Sequence, residues 1–319
     1  MAIISNCTVS IIKDAALALK QGHLVAFPTE TVYGLGADAT NEKAVARIYE
    51  VKGRPTDHPL IVHISSVELL DKWARDIPEY AIRLARNFWP GPMTLVLQRT
   101  NTAKDFITGG QDTVAIRVPA HTLASQFLME FESLGGYGVA APSANRFGKV
   151  SPTTANAVKL DIGESLSSFD HILDGGPSQI GVESTIIDCS RELPVILRPG
   201  SVSIEMLQDL IKVNLGPVSS VKNKIKVPGM LTSHYSPNAK VFFAGTSSIG
   251  DGFLALASIP TPAGAIRLAA PIDNSQYAYL LYETLRLADK MGLRRVCVVK
   301  PNDEGIGKAI NDRLAKIIG

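Results

Sequence analysis

The sequence is poor in cysteine. Its three cysteines, Cys7, Cys189 and Cys297, lie far apart in the 319 residues, and no two of them stand in CxxC spacing. An odd number of distant cysteines predicts neither a disulfide framework nor a zinc site. A reducing compartment is therefore the simpler interpretation.

The sequence also lacks the features of secreted and membrane proteins. No uninterrupted apolar run is long enough to span a bilayer. The chain starts with apolar residues, but no basic segment precedes them, and Lys13 and Asp14 interrupt the run. Such a start does not resemble a signal peptide. We therefore expect a soluble, cytoplasmic protein without membrane contact.

Strong charge of one sign is absent, and so are the familiar catalytic motifs. A net charge of +2 is too small to indicate nucleic-acid binding by bulk electrostatics. No GxxxxGK[ST] phosphate loop, GxSxG elbow or HExxH helix occurs, and GLGADA (34–39) lacks the third glycine of a dinucleotide fingerprint. Any nucleotide contact must come from a local cluster of residues.

What the sequence does contain is an alternation of helical and strand patterns. In the helix predicted over residues 41–53, Ala44, Ile48 and Val51 share one face. Several predicted strands are separated only by turns, which favours a mixed α/β sheet over a purely parallel one. Residues 29–40, punctuated by glycine, are predicted to form a loop.

The composition changes after about residue 210. Residues 215–240 are rich in Pro, Ser, Lys and Gly without lasting periodicity, which is typical of a linker or a functional loop. A shorter α/β pattern follows. We predict a first domain over residues 1–209, a linker over 210–239 and a smaller α/β domain over 240–319.

A first candidate binding segment spans residues 27–39. Glu30 and Thr31 follow a predicted strand, and hydroxyls with a carboxylate at such a position suit a small, amine-bearing ligand. Gly34 and Gly36 would let the backbone approach a ligand closely or adopt positive φ. A loop whose threonine and glutamate merely cap the following turn explains the pattern equally well.

A second candidate is basic. Lys52, Arg54 and His58 lie within seven residues of one another. Two neighbouring cations repel each other unless an anion lies between them. Arginine offers a planar fork for phosphate oxygens, and lysine adds a point charge. The segment is typical of a phosphate clamp, with a solvated basic turn as the alternative.

Polar residues also follow a later strand. Ser143 and Asn145 alternate there, and Ser151 precedes a predicted helix, where hydroxyls and backbone N–H groups form anion sites or simply cap the helix. Arg117 stands inside an apolar strand, and Arg198 precedes a Pro-Gly turn. A buried arginine needs an anionic partner, either a ligand carboxylate or one from the protein.

Together these segments closely resemble the YrdC-like domain of threonylcarbamoyl-AMP synthases. The resemblance covers residues 11–203 and rests on PTETVYGLGADA, KGRP…HPL, PSAN, SPTTA, ESTIID and RPG, in this order. The family's Lys-x-Arg pair, followed far downstream by Ser-x-Asn, is matched by Lys52, Arg54, Ser143 and Asn145. PGMLTSHYSP followed by a small α/β domain resembles the family's two-domain form.

The resemblance implies a fold, a reaction and its partners. The fold is a twisted, mixed α/β sheet with a cationic cavity, plus a smaller Rossmann-like C-terminal domain. A long linker would join the two domains and cover the active site. The reaction converts L-threonine, bicarbonate and ATP into L-threonylcarbamoyladenylate and pyrophosphate, for threonylcarbamoyladenosine (t6A) modification of tRNA. A separate enzyme would transfer the group to tRNA, and a weak tRNA contact stays open.

The resemblance also implies roles for individual residues. The catalytic group is Lys52, Arg54, Ser143 and Asn145. The L-threonine group is Thr31, His63, Arg117 and Thr185. The ATP group is Arg54, His58, Ser143, Ser151, Arg198 and Tyr235. ATP is a substrate rather than a resident cofactor, and Mg²⁺ is expected on its triphosphate, with no metal held by protein side chains.

Two other functions stay open. One is a double-stranded-RNA or tRNA-binding module without catalysis, which the small net charge disfavours. The other is a carbamoyl-adenylate-forming enzyme of the kind that matures hydrogenases, whose cysteine clusters are absent here. Pyrophosphate release from ATP that requires threonine would separate the three functions.

Overall fold

The structure, a computed structural model, describes residues 4–6, 8–211, 225–229, 235–243 and 248–318. Cys7, His234 of the SHYSP motif and most of the predicted linker lie outside these ranges. The described strands form a ten-stranded and a four-stranded sheet.

The larger sheet contains β1 (Ile4–Asn6), β2 (Val25–Phe27), β3 (Gly34–Asp38), β4 (Ile61–His63), β5 (Met93–Gln98), β6 (Thr113–Arg117), β7 (Val139–Ala140), β8 (His171–Asp174), β9 (Thr185–Asp188) and β10 (Val195–Arg198). Its helices are α1 (Val9–Lys20), α2 (Glu42–Lys52), α3 (Leu70–Trp73), α4 (Glu79–Phe88), α5 (Asp105–Thr108), α6 (Thr122–Ser133), α7 (Ala155–Ile162) and α8 (Ile204–Ile211). The smaller sheet contains β11 (Lys240–Phe243), β12 (Gly252–Leu254), β13 (Ile266–Ala269) and β14 (Arg295–Val298), with α9 (Asn274–Lys290) and α10 (Gly307–Ile318).

The larger sheet is mixed, as the sequence predicts. Its strand order is β1-β8-β2-β3-β7-β4-β6-β5-β9-β10, with β1, β8 and β2 parallel and β3 antiparallel to β2 and β7. The smaller sheet has the order β11-β14-β12-β13, and all of its pairings are parallel. A large mixed sheet with a second, smaller α/β unit is thus confirmed.

The segment predicted as a glycine-punctuated loop is instead partly a strand, and this prediction was wrong. Residues Gly34–Asp38 form β3 inside the sheet. A Cβ on Gly36 would lie 2.7 Å from Val139 Cγ1 and 3.0 Å from Phe27 Cε1. Neither Gly34 nor Gly36 has a positive φ. The glycines therefore admit neighbouring side chains, and pairing with β2 and β7 imposes the strand against local propensity.

Alternation along the strands separates two cores. Ala26 and Val62 face the core packed by α2, α4 and α7, whereas Val25 and Phe27 face the core packed by α1 and α6. Ile61, the neighbour of Val62, points to the opposite face of the sheet, the face that carries Val25 and Phe27. The candidate site lies on that same face of the sheet.

The helix α2 forms where the sequence predicts it. Asn41 caps its start, with Oδ1 accepting the Ala44 N–H, and Gly53 ends it with φ 63°. Ala44, Ile48 and Val51 are all buried. This ending brings the Lys-x-Arg pair to the junction between helix and loop.

Replacement of Gly36 by alanine tests the packing of β3. We expect Gly36→Ala to lower the free energy of unfolding by about 2 kcal/mol, because the new methyl group meets Val139 and the Val25 carbonyl oxygen. Urea unfolding followed by tryptophan fluorescence reports this domain, since Trp73 and Trp89 both belong to it.

Gly163→Ala is the matched control. Its Cβ would lie 3.2 Å from Lys159 Cγ, the stem of a flexible side chain that can move aside. We expect a change within about 1 kcal/mol for this variant. Equal effects of the two substitutions would contradict the close packing assigned to β3.

Candidate active site

A cavity that is partly open to solvent lies on the sheet face that carries Ile61 and His63. These two residues alternate along β4 and therefore point to the same side. The polar and charged residues that line it are Thr29, Thr31, Tyr33, Arg54, His63, Arg117, Ser143, Glu183, Ser184, Arg198 and Tyr235. Most of the residues proposed from the sequence thus meet in one place.

One group of lining residues surrounds Arg117, the last residue of β6. Its guanidinium Nη2 lies 2.7 Å from Glu30 Oε1, and Nη1 donates to Thr31 Oγ1 at 2.9 Å. The other oxygen of Glu30 accepts the Ala120 N–H at 3.1 Å. Arg117 and Glu30 are both buried, so each carries the partner that a buried charge requires.

His63 lies beside this group and is neutral. Burial and the positive charge of Arg117 lower the pKa of His63 from its ordinary 6.5 to about 3. Among the described residues, its Nδ1 has no hydrogen-bond partner, and its ring meets Phe27 edge-on, with centroids 5.8 Å apart. A neutral imidazole facing the cavity can exchange a hydrogen bond with a ligand without adding charge.

A second group surrounds the Lys-x-Arg pair. Arg54 lines the cavity, donates from Nη2 to the Pro59 carbonyl at 3.0 Å and lies over the Phe147 ring at 5.7 Å. Burial lowers the pKa of Arg54 to about 10, so the group remains charged near neutral pH. Its Nε is buried without a hydrogen-bond partner among the described residues.

Lys52 lies behind the lining rather than in it. Its Nζ donates to the Ser143 carbonyl at 2.6 Å and to the Asn145 carbonyl at 2.5 Å. Burial, with the charge of Arg54, holds the pKa of Lys52 well below its usual range. In this geometry the ammonium fixes the Ser-x-Asn backbone, and only the Ser143 side of that motif reaches the cavity.

A third group surrounds Glu183, just before β9. Its Oε1 accepts from Ser151 Oγ at 2.6 Å, and its Oε2 accepts from Arg313 Nε at 2.8 Å. Tyr282 donates its hydroxyl to the same carboxylate at 3.0 Å. Burial alone would raise the pKa of Glu183, but Arg313 and Arg198 outweigh it and lower the value to about 2. The carboxylate is therefore ionised.

The described part of the predicted linker contributes to the cavity wall. Arg198 donates from Nη1 to the Pro228 carbonyl at 2.9 Å and from Nε to the Ser184 carbonyl at 3.1 Å. Pro228, Gly229 and Tyr235 line the cavity. Lys226 anchors this stretch, with Nζ 2.6 Å from Asp57 Oδ2.

Several predicted site residues lie outside the lining. Thr185 donates its hydroxyl to the Val202 carbonyl at 2.8 Å, and the His58 ring packs edge-on against Phe147. Asn145 donates from its amide to the carbonyls of Arg146 and Lys149. With Lys52 and Ser151, these residues support the lining from behind.

Sequence reasoning missed some of the residues that shape the site. For Glu30 the sequence suggested contact with an amine-bearing ligand, whereas in the structure Glu30 pairs with Arg117. Glu183 stands directly before the Ser184–Thr185 pair at the start of β9. An acidic residue beside such a strand entry is the signal that could have found Glu183. Tyr282 and Arg313 gave no signal, because they come from helices of the second domain that carry no site motif.

No group of three or more histidine, cysteine or acidic side chains in the described parts of the chain is placed to hold a metal ion. Glu183 has its oxygens occupied by Ser151, Tyr282 and Arg313. Among the helices that the structure describes, none is long and apolar enough to cross a membrane.

The fold and site define a two-domain α/β protein with an arginine-lined cavity suited to an anionic ligand. A family model described as telomere recombination, covering Sua5, YciO and YrdC proteins, matches residues 17–200. A second, described as threonylcarbamoyl-AMP synthase, C-terminal domain, matches residues 202–317. The chain belongs to the threonylcarbamoyl-AMP synthase (Sua5) family, in its two-domain form.

Individual relatives are similar to this chain over nearly its whole length. The threonylcarbamoyl-AMP synthase of Pyrococcus abyssi is 40% identical, with 97% of this chain and 94% of the relative covered. That of Bacillus subtilis is 38% identical, with 97% and 93% covered. The solved structure of P. abyssi Sua5 complexed with L-threonine is similar at a TM-score of 0.87 and 38% identity, covering 100% and 97% of the two chains.

The neutrality of His63 has a testable consequence for stability. The unfolded chain binds a proton at this residue near pH 6.5, whereas the folded chain resists protonation down to about pH 3. The contribution is therefore fully present above pH 6.5 and is lost between about pH 6.5 and 3, by at most about 1.4 kcal/mol per pH unit. Unfolding of wild type and His63→Gln should be compared at pH 7 and pH 5.

We expect His63→Gln to lose less stability than wild type over this interval. All other titrating groups are common to both proteins, so the difference between the two pH slopes isolates His63. Identical slopes would show that His63 titrates normally in the folded protein.

Proposed function

We propose that the chain catalyses the formation of L-threonylcarbamoyladenylate and pyrophosphate from L-threonine, bicarbonate and ATP. Relatives at 33–40% identity over nearly the whole chain are named threonylcarbamoyl-AMP synthases. The observation that carries the proposal is the meeting of Arg54, Arg117 and Arg198 in one cavity with Ser143 and His63. Such a site suits two anionic substrates, a carboxylate and a triphosphate.

L-Threonine is assigned to the Arg117 group. Arg117 offers its guanidinium to the amino-acid carboxylate, while Glu30 holds the guanidinium in place and Thr31 adds a hydroxyl. His63 orients the amino group. Its pKa of about 3 is too low for it to keep a proton taken from an ammonium group, so it acts as a hydrogen-bond partner rather than a base. Thr185, predicted for this subsite, supports it from behind the wall.

ATP is assigned to the other two groups. Arg54 and Arg198 face the cavity, and both donate hydrogen bonds to backbone carbonyls, which leaves their positive charge available to phosphate oxygens. Ser143 and Tyr235 complete the wall. Lys52, Asn145, Ser151 and His58 fix the backbone and side chains that hold these groups.

The chemistry requires positioning and charge stabilisation. The threonine amine forms a bond to carbon, either of CO₂ with release of a proton or of bicarbonate with loss of water. A carbamate oxygen then attacks the α-phosphorus, and the bond from that phosphorus to the bridging oxygen breaks as pyrophosphate leaves. Neither step needs a nucleophile from the protein. What the site supplies is proximity and arginine cations beside the charge that develops on the leaving pyrophosphate.

Mg²⁺ is assigned to the triphosphate rather than to a protein cage. The cavity carboxylate Glu183 is fully engaged in hydrogen bonds, and no cluster of metal-ligating side chains occurs among the described residues. Mg²⁺ commonly keeps several waters and binds through substrate phosphates. When bound, the ion would neutralise phosphate charge alongside Arg54 and Arg198.

The proposed function also assigns roles to the domains, to a partner enzyme and to the cavity wall. The domains are assigned as residues 1–209 for catalysis, 210–239 for the linker over the active site and 240–319 for the C-terminal domain. A cytoplasmic tRNA threonylcarbamoyl-transfer enzyme would accept the labile adenylate, with at most weak tRNA contact by this chain. A wall formed by Pro228, Gly229 and Tyr235 would limit access of water to that product.

Release of pyrophosphate tests the function directly. We expect release from ATP and bicarbonate only when L-threonine is present, and loss of at least about a hundredfold in the Lys52→Ala/Arg54→Ala double variant, because two cationic groups are removed. Lys13→Ala/Lys43→Ala, at two exposed lysines outside the cavity lining, serves as the charge-matched control.

The alternatives predict different results. Release that does not depend on threonine would indicate another acceptor, such as a carbamoyl-adenylate chemistry. No release under any condition, combined with retention of double-stranded RNA or tRNA on the protein, would favour the binding module.

Tyr235 is predicted to take part in nucleotide binding. Its buried ring lies on the cavity wall, so its loss removes packing and opens the site. We expect Tyr235→Ala to raise the KM for ATP by about tenfold. Tyr137→Ala, at an exposed tyrosine outside the cavity, is the control, and equal kinetics of the two variants would remove Tyr235 from the nucleotide subsite.

A further inference from the structure

Two side chains of the second domain reach the cavity wall. Tyr282 of α9 and Arg313 of α10 are fully buried, and both hydrogen-bond to the Glu183 carboxylate of the first domain. Glu183 itself lines the cavity. The second domain therefore contacts the cavity wall directly, through two of its side chains, in addition to its covalent connection to the first domain.

The same two side chains also hold Tyr235. The Tyr282 ring stacks on Tyr235, with centroids 5.7 Å apart and planes inclined by 23°. The Arg313 guanidinium lies 5.5 Å from the centre of the Tyr235 ring. Tyr235 adopts φ 67°, a left-handed conformation that is uncommon for a residue other than glycine and that surrounding contacts must maintain.

Arg313 reaches a third part of the wall. Its Nη2 donates to the Pro199 carbonyl at 3.0 Å, directly after the cavity residue Arg198. One guanidinium thus connects the segments that present Glu183, Arg198 and Tyr235. The rigid fork of arginine makes such simultaneous contacts in fixed directions.

We propose that Tyr282 and Arg313 are positioning residues of the nucleotide subsite, and that the second domain completes this subsite by fixing Glu183 and Tyr235. The proposal rests on the assignment of ATP to this side of the cavity. It gives the second domain a part in substrate binding although that domain carries no recognised site motif.

Other contacts between the domains differ in their surroundings. Arg286 forms an ion pair with Asp161 at 2.7 Å and donates to the Val150 carbonyl, and Lys308 pairs with Glu205 at 2.7 Å. None of these residues lines the cavity. They serve as controls, because they join the two domains without lining the cavity.

The sharpest test compares two tyrosines of α9. Tyr282→Phe removes the hydroxyl that donates to Glu183 and keeps the ring on Tyr235. Tyr277→Phe, at a residue that is also buried, removes a hydroxyl that donates to the Val299 carbonyl within the second domain. We expect Tyr282→Phe to raise the KM for ATP by about tenfold, as for a lost hydrogen bond to a charged group. The KM for threonine should stay within twofold, and Tyr277→Phe should match wild type in both.

An arginine pair provides the second test. Arg313→Lys and Arg286→Lys each keep the charge and lose the fork at an ion pair between the domains. Only Arg313→Lys should raise the KM for ATP. Melting temperatures of all four variants show how much each substitution destabilises the fold.

The outcomes distinguish failure of the role assigned to Tyr282 and Arg313 from failure of the proposed function. A rise in the KM for ATP limited to the Tyr282 and Arg313 variants supports the proposal. Equal values in each matched pair, a parallel rise in both KM values, or a lower kcat with both KM values unchanged would overturn it. Absence of threonine-dependent pyrophosphate release in wild type would instead overturn the proposed function.

Discussion

The central constraint on this structure is the burial of several charged groups around one cavity. Arg54, Arg117, Arg198 and Arg313 are all buried, as are Glu30 and Glu183. A buried charge without a partner is strongly destabilising, so each must be met by a carboxylate, a carbonyl or a ligand. The strands and loops that meet on this sheet face supply those partners, and much of the local geometry follows from that requirement.

The partners of these four arginines are not equivalent. Arg313 and Arg117 each contact a glutamate, whereas Arg54 and Arg198 donate to backbone carbonyls. A carbonyl satisfies hydrogen bonds without cancelling the charge. In the proposed assignment, Arg54 and Arg198, neither of which forms an ion pair with a carboxylate among the described residues, meet phosphate oxygens. Arg117, whose charge is shared with Glu30, meets a single carboxylate.

Local sequence pattern predicts what depends on local structure. The helix α2 with its end near Gly53, the mixed sheet, the strand that carries Arg117 and the turn after Arg198 follow from periodicity, turn residues and motif order. The strand β3 does not, because its glycines have low strand propensity and only pairing with its neighbours fixes it. Lys52 is also instructive: its position was predicted, yet only tertiary structure shows that its ammonium meets two carbonyls behind the cavity.

The contribution of the second domain is the least accessible to sequence reasoning, for a physical reason. Tyr282 lies among the apolar residues of α9, whose buried face predicts core packing, and Arg313 stands in an amphipathic helix where a surface role is the default. Their contacts join residues separated by about a hundred positions or more, beyond any local motif. The apolar cluster of the second domain includes Val32, Val150 and Tyr235, so the two domains share one packed interior at the cavity wall. Any movement of α9 or α10 must therefore disturb that wall, because close-packed interiors transmit displacement rather than absorb it.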